Sequence, residues 1–221
     1  MDLGNTAKAE VFDALAGVVK ALASPRRLEL VELLAQGEHP VEELARLSGM
    51  ALTTTSAHLQ TLKQAGLVRT RRERTTIHYR LAGDDVAELY VAAKRVALAR
   101  SGQLRDTLAD YLVAADGGSA AATIRPAAVT SAMTVVDVRP ANEFAAGHFP
   151  GALSIPLDDL PSRLHELPTD APVVVYCRGE LCRSAREAAH LMRGHGIDAT
   201  AMDEGVVEWR ADKAVRLDGV A

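Results

Sequence analysis

The sequence predicts two domains built on different patterns: a mainly α domain closed by a β-hairpin, then an α/β domain with a parallel sheet. Three observations predict this. Apolar residues recur at helical spacing up to Gly66 and then at a spacing of two. A stretch rich in Ala, Gly and Ser, "AADGGSAAATIRPAA" at 114–128, has no apolar period and divides the chain. Beyond it, short β-branched runs alternate with helical segments, as buried parallel strands do. The expected organisation is therefore residues 1–113, a linker at 114–128, and residues 129–221; a chain of 221 residues is long enough for two cores.

The elements follow in order. Val11, Leu15, Val18 and Leu22 share one face of a first helix. Ser24-Pro25 marks the start of a second, with Ser at the cap and Pro at the first position, and Gly37 stops it. Pro40 opens a short third helix, Val41–Leu47, closed by Ser48-Gly49. A fourth is expected over Thr53–Gln64, with Leu59 and Leu62 inward and Gly66 as its stop. "LVRTRRERTTIHYRL" then reads as a β-hairpin with Arg71 to Arg74 at its tip. Asp84–Val113 reads as one long helix burying Val86, Leu89, Val96, Leu104, Leu108 and Leu112. In the second half, "TVVDV" and "VVVY" read as strands, and 157–166 and 184–194 as helices.

Composition excludes several classes. Aromatics are 4% of the residues, so both cores must be built from Leu, Val and Ala. No apolar run reaches the roughly 18 residues that span a bilayer, so no membrane association is expected. "MDLGNTAKAE" lacks the apolar core of a signal peptide. Two cysteines are no disulfide framework, and a cytoplasmic protein with reactive thiols is expected. The net charge of -4 hides a local basic cluster: Lys63 to Arg80 holds six Lys or Arg and one acid, Glu73. No cofactor is implied by any motif.

Helix, helix, short turn, helix and a basic hairpin make a winged helix-turn-helix, whose second motif helix enters the major groove. That helix opens "TTTSAHLQTLK", so Thr53, Thr54, Thr55, Ser56 and His58 are the candidates for base contacts. Arg69, Arg71, Arg72 and Arg74 on the wing are the candidates for phosphate contacts. "VVKALASPRRLELVELLAQGEHPVEELARLSGM" and "SAHLQTLKQAGLVRTRRERTTIHYRL" resemble the ArsR family of bacterial repressors over about residues 1–100. One departure is Ala51, where the family often has Ser, so the helix cap is expected to shift to about Thr53. The resemblance implies a homodimer on a palindromic double-stranded DNA operator, with the first helix and the 84–113 helix at the interface. Family members that sense metals use Cys on the third helix, or His and carboxylates on the last. Here "VEELARLSG" has no Cys, and Asp84, Asp85 and Glu88 come without His, so no metal site is expected.

"VVVYCRGELCRSA" holds both cysteines, five residues apart, between a strand and a helix. Backbone N–H groups of the loop, the N-terminal end of the next helix, and Arg178 and Arg183 are expected to favour a thiolate at Cys177. Gly179 and the two arginines argue against a buried, inert Cys177. "VVDVRPANEFAAGHFPGALSIPL" and "DEGVVEWR" resemble the two signature regions of the rhodanese family, over about residues 129–215. The resemblance implies that Cys177 accepts a sulfane sulfur as a persulfide and passes it on. Asp137 and Arg139 are expected to tie the strand end to the Gly147–Ala152 loop, and His148 to pack there.

The loop is one residue longer than the common rhodanese form. Cys177 to Arg183 has the Cys-x5-Arg spacing of phosphatases and arsenate reductases of the same fold, in which Arg clamps a tetrahedral oxyanion. Tyr176 stands where those enzymes usually carry His. Cys182, at the far end of the loop, favours sulfur chemistry, because it can attack a persulfide on Cys177 to give a bridge. The expected function is a transcriptional regulator, a repressor, sensing or processing reactive sulfur from a donor such as polysulfide or thiosulfate. The alternatives are a sulfurtransferase, or an arsenate reductase or phosphatase, fused to a DNA-binding domain.

Overall fold

A computed structural model describes residues 3–118 and 121–219 and divides the chain into two compact units, 1–86 and 87–221. Residues 119 and 120 of the expected linker lie outside the described residues. The first unit opens with α1 (Leu3–Leu22) and α2 (Pro25–Leu34), the latter entered through Ser24 in an extended conformation. A two-residue strand β1 (His39–Pro40) precedes α3 (Val41–Ser48). Gly49 ends α3 with φ at 63°, a left-handed conformation that glycine adopts without a Cβ penalty. Helix α4 (Leu52–Gln64) then leads to β2 (Val68–Glu73) and β3 (Thr76–Leu81), which form the expected hairpin. Strand β1 adds to its other side, giving a three-stranded antiparallel sheet in the order β1-β3-β2.

The core of this unit follows the periodicity. Leu30, Val31, Leu33 and Leu34 of α2, Leu44 of α3 and Leu59 and Leu62 of α4 are all buried. Each such aliphatic side chain contributes about 1.5–3 kcal/mol by leaving water. Helix α1 leaves Val11 and Leu15 of its apolar face exposed, and Phe12 and Val19 as well.

The second unit holds most of α5 (Asp84–Arg100), then α6 (Gly102–Ala115). The expected single helix over 84–113 is thus two. Ser101 caps the second, its Oγ accepting from the Leu104 N–H at 3.1 Å, and Gly102 is a poor helix-interior residue. Val86 is buried as expected, whereas Leu89, Val96 and Leu104 are exposed. Next come β4 (Thr123–Ile124), β5 (Thr134–Asp137), α7 (Ala141–Ala145), β6 (Leu153–Ser154) and α8 (Leu160–Arg163). They are followed by β7 (Val173–Tyr176), α9 (Ser184–Gly194), β8 (Ala199–Met202) and α10 (Val206–Asp212). The five strands pair in parallel in the order β4-β8-β7-β5-β6.

Strand β7 is central and buried throughout. Its alternation sorts the core into two layers. Val173, Val175 and then Cys177 pack with Ala185, Ala188, Ala189 and Met192 of α9 on one face. Val174 and Tyr176 pack with Trp209 and Val206 of α10 on the other. The period of two therefore delivers Cys177 to the α9 side of the sheet, at the carboxyl end of the strand, where open α/β sheets place their sites.

Candidate functional site

Cys177 follows the last residue of β7, and the chain turns through Arg178–Cys182 before α9 begins at Ser184. The turn brings the two cysteines together: their Cα atoms are 6.3 Å apart and their Sγ atoms are bonded in a disulfide. Cys177 is nearly fully buried. The Cys182 N–H donates to the Gly179 carbonyl at 2.9 Å, which curls the loop. Gly179 is required there, since a Cβ would lie 2.5 Å from Val207 Cγ1 and 2.9 Å from Glu208 Oε2.

Two features of the bridged loop bear on the expected thiolate. The first concerns the arginines. Arg178 reaches the buried Glu143 with Nε–Oε2 2.9 Å and Nη2–Oε1 2.6 Å, so its charge is met by a carboxylate. Arg183 donates to Glu187 at 2.5 Å and lies over the Tyr111 ring, 5.5 Å from its centroid. In the bridged loop each guanidinium is thus engaged by a carboxylate. The second concerns the backbone nest. In this bridged loop the Cys182 amide is spent on Gly179, and the Glu180 amide is directed at Glu208 Oε1, 3.4 Å away.

The ends of β5 and β7 beside the loop carry a buried polar network. Asp137 takes bonds from Arg139 Nε at 3.0 Å and from the Arg139 backbone N–H at 2.9 Å. Arg139 also donates to the Gly147 carbonyl at 2.8 Å, the expected tie to the Gly147–Ala152 loop. Burial lowers the affinity of the Arg139 guanidinium for its proton, and Asp137 more than offsets this, so its pKa is raised. Tyr176 donates to Asp137 Oδ2 at 2.6 Å and accepts from the Phe149 N–H at 3.0 Å. Burial first, and the Asp137 charge second, push the Tyr176 phenol far above its ordinary range, so it remains a donor. His148 stacks on Phe144 and its Nδ1 meets the Phe144 carbonyl at 2.9 Å, a packing role.

Three charged residues near the loop were not foreseen. Glu208 Oε2 accepts from the Gly205 N–H at 2.9 Å, and the Lys94 ammonium of α5 pairs with Glu208 and, at 3.1 Å, with Glu180. Glu208 stands in the signature segment "DEGVVEWR", which was a usable signal. Lys94 lies in the alanine-rich "VAAKRVALA", far from any motif, and nothing local marked it.

In the first unit, α4 presents its polar residues unequally. Thr53 and Thr54 are exposed, and Ser56 and His58 are half-buried. Thr55 is buried, and its Oγ1 donates to the Ala51 carbonyl at 3.1 Å, so it belongs to the core face with Leu59 and Leu62. The helix begins one residue earlier than expected, with Ala51 at the cap position and no side-chain cap. Arg69, Arg71, Arg72 and Arg74 of the hairpin are exposed. Arg71 pairs with Glu38 and Glu73, each at 2.9 Å, and Arg72 Nε donates to the Arg74 carbonyl at 3.0 Å. Gln60 of α4 donates to the Tyr79 hydroxyl at 3.3 Å, tying the helix to the wing.

Among the described residues no helix is long and apolar enough to cross a membrane, and no group of three or more His, Cys, Asp or Glu is placed to hold a metal ion.

Comparison with known proteins agrees with both halves. Residues 24–70 match the bacterial regulatory protein, arsR family, and residues 121–212 match the rhodanese-like domain. The HTH-type transcriptional regulator Rv0324 of Mycobacterium tuberculosis is 44% identical over 203 residues, 92% of this chain and 90% of that protein. A sulfurtransferase of Allochromatium vinosum is 37% identical over 81 residues, 36% of this chain and 74% of that protein. The homodimeric winged helix-turn-helix DNA-binding domain of Mb0332 from Mycobacterium bovis is 51% identical; it covers 43% of this chain and 89% of its own, with a TM-score of 0.41. The chain belongs to the arsR family of DNA-binding transcriptional regulators and carries a C-terminal rhodanese-like domain.

Proposed function

We propose that the protein is a repressor that senses or processes reactive sulfur through Cys177 and Cys182. The observation that carries this reading is the meeting of the two thiols in one short loop, on a chain that also bears a DNA-binding unit. The chemistry balances without a cofactor. The Cys177 thiolate attacks a sulfane sulfur of polysulfide and expels the shortened polysulfide, leaving a persulfide. The Cys182 thiolate attacks Cys177 Sγ and expels hydrosulfide. Two thiols are oxidised to a disulfide and one sulfur atom is reduced.

On this reading residues 1–113 bind DNA and dimerise, and 129–221 handle sulfur, in a compartment that keeps thiols reduced. Thr53, Thr54, Ser56 and His58 face base edges, and the wing arginines Arg69, Arg71, Arg72 and Arg74 meet phosphates. The exposed apolar side chains of α1, Val11, Phe12, Leu15 and Val19, support a homodimer, which suits a palindromic operator.

The test is fluorescence anisotropy on the DNA upstream of the protein's own gene, with reduced protein and after polysulfide, and intact mass measured alongside. Release of DNA together with a gain of sulfur or a bridge at Cys177 and Cys182 supports the reading. A Cys177→Ser protein that still releases DNA on polysulfide treatment rejects it.

A second reading is a working sulfurtransferase tethered to DNA, supported by the match to the rhodanese-like domain. Turnover of thiosulfate with cyanide measures it. The oxyanion alternatives draw no support from Arg183, which is held by Glu187 and Tyr111.

A further inference from the structure

Helices α5 and α6 precede the segment that matches the rhodanese-like domain, residues 121–212, yet both touch the cysteine loop. Lys94 of α5 is buried, and its ammonium is held between Glu208 and Glu180. Glu180 is the third of the four residues between the cysteines. Glu208 in turn faces the Glu180 amide and accepts from the Gly205 amide. Tyr111 of α6 supplies a second contact, beneath Arg183, the residue after Cys182. Burial opposes the charge on Lys94, but the two carboxylates raise its pKa above the ordinary lysine value, so it stays an ammonium.

An ammonium with so little solvent is costly to leave unpaired, so its position is tied to both carboxylates. Whatever moves Glu180 must therefore act on Lys94. Making or breaking the bond between Cys177 and Cys182 changes the closure of the six-residue span 177–182 on which Glu180 sits. Helix α5 starts at Asp84, so the helix that carries Lys94 also carries the last residues of the first unit, which ends at Val86.

We infer that Lys94 is a positioning residue of the cysteine loop and the link through which its redox state reaches helix α5. This rests on the sulfur-sensing reading for its biological meaning, but not for its test.

The test is hydrogen exchange of the amides at 91–98 in the full-length protein, reduced and then bridged by polysulfide, each state verified by intact mass. In the wild type the exchange rates of the two states should differ by about 5-fold or more, the lower end of ordinary coupling. In Lys94→Met the ratio should fall to about one. Removing a buried ammonium can prevent folding, so Glu180→Ala is the second variant. Glu180 is partly exposed, and this truncation keeps Lys94 paired with Glu208 while removing the side-chain tie between Lys94 and the loop. It too should bring the ratio to about one. A purely structural lysine would lower protection in both states and leave the ratio unchanged. A wild-type ratio of one, or a full ratio retained in Glu180→Ala, overturns the inference. Operator binding separates this from the functional reading: an intact exchange response without release of DNA removes sulfur-controlled repression and leaves the Lys94 link standing.

Discussion

The Tyr176 hydroxyl donates to Asp137 Oδ2 at 2.6 Å, fastening the end of β7 to the end of β5 one residue before Cys177. The same oxygen accepts from the Phe149 N–H. Tyr176→Phe keeps the ring among Trp209 and Phe149 but leaves that amide without its acceptor and Asp137 without one donor. The cost should be about 1–3 kcal/mol. Denaturant unfolding followed by circular dichroism should show a lower midpoint at unchanged slope, and an unchanged midpoint would show that water replaces the hydroxyl.

The pairing of Arg178 with Glu143 gives a prediction of opposite sign for reactivity. Glu143 is fully buried and neutralises the guanidinium next to Cys177. In Glu143→Gln the amide can still accept a hydrogen bond, but the positive charge is no longer compensated. In the reduced protein the thiolate becomes the favoured counter-charge, so its pKa should fall. Alkylation of Cys177 by iodoacetamide at pH 7 should speed up, by roughly two- to ten-fold. An equal or slower rate would mean that Arg178 does not act on the thiol.

These two residues also mark what the sequence could and could not disclose. Short continuous β-branched runs around Val135 and Val174, the Ser24-Pro25 start and the Gly49 stop made the main strands and helices legible, because each rests on local chemistry. Strands β1, β4 and β6 are two residues each, too short to carry a period, and exist only because a longer neighbour pairs with them. The Ser101-Gly102 break was written in plain turn chemistry but was hidden by the apolar spacing on either side. Cys177, Cys182 and Gly179 were legible as a site. The partners of its charges were not: Glu143 is 35 residues from Arg178, and Lys94 is 114 residues from Glu208. Such pairings follow from tertiary packing, which no local window contains.

Glu204 offers a pH-dependent prediction. Partial burial first, then the charges of Asp203, Asp212 and Glu208, raise its carboxyl pKa above the ordinary value of 4.5. A raised acid pKa in the folded state means that the fold binds this proton more tightly than the unfolded chain does. Its favourable contribution is therefore complete below pH 4.5 and is lost as pH rises through the folded-state value. Glu204→Gln removes the repulsion at pH 7 and should stabilise by a few tenths of a kcal/mol, roughly 1 °C in Tm, since solvent screens a group this exposed. Below pH 4.5 the variant and the wild type should melt together. A gain that persists there would assign the effect to packing instead.

Helix α4 and the wing separate sequence reading from charge. Arg69 and Arg72 are exposed on the hairpin, and each should contact phosphate. Changing either to Ala should weaken binding to all duplexes alike and reduce the slope of log affinity against log salt by about 1. Thr53→Ala or Ser56→Ala should instead leave the slope alone and change the preference among operator variants, by about 1 kcal/mol at the affected base pair. Thr55 provides the internal control. It is buried and bonded to the Ala51 carbonyl, so Thr55→Ser should lower the stability of the first unit by about 1 kcal/mol and leave sequence preference intact. Anisotropy titrations over a salt series with matched and altered duplexes distinguish the three classes. A change of sequence preference in Thr55→Ser would show that α4 turns its other face to DNA.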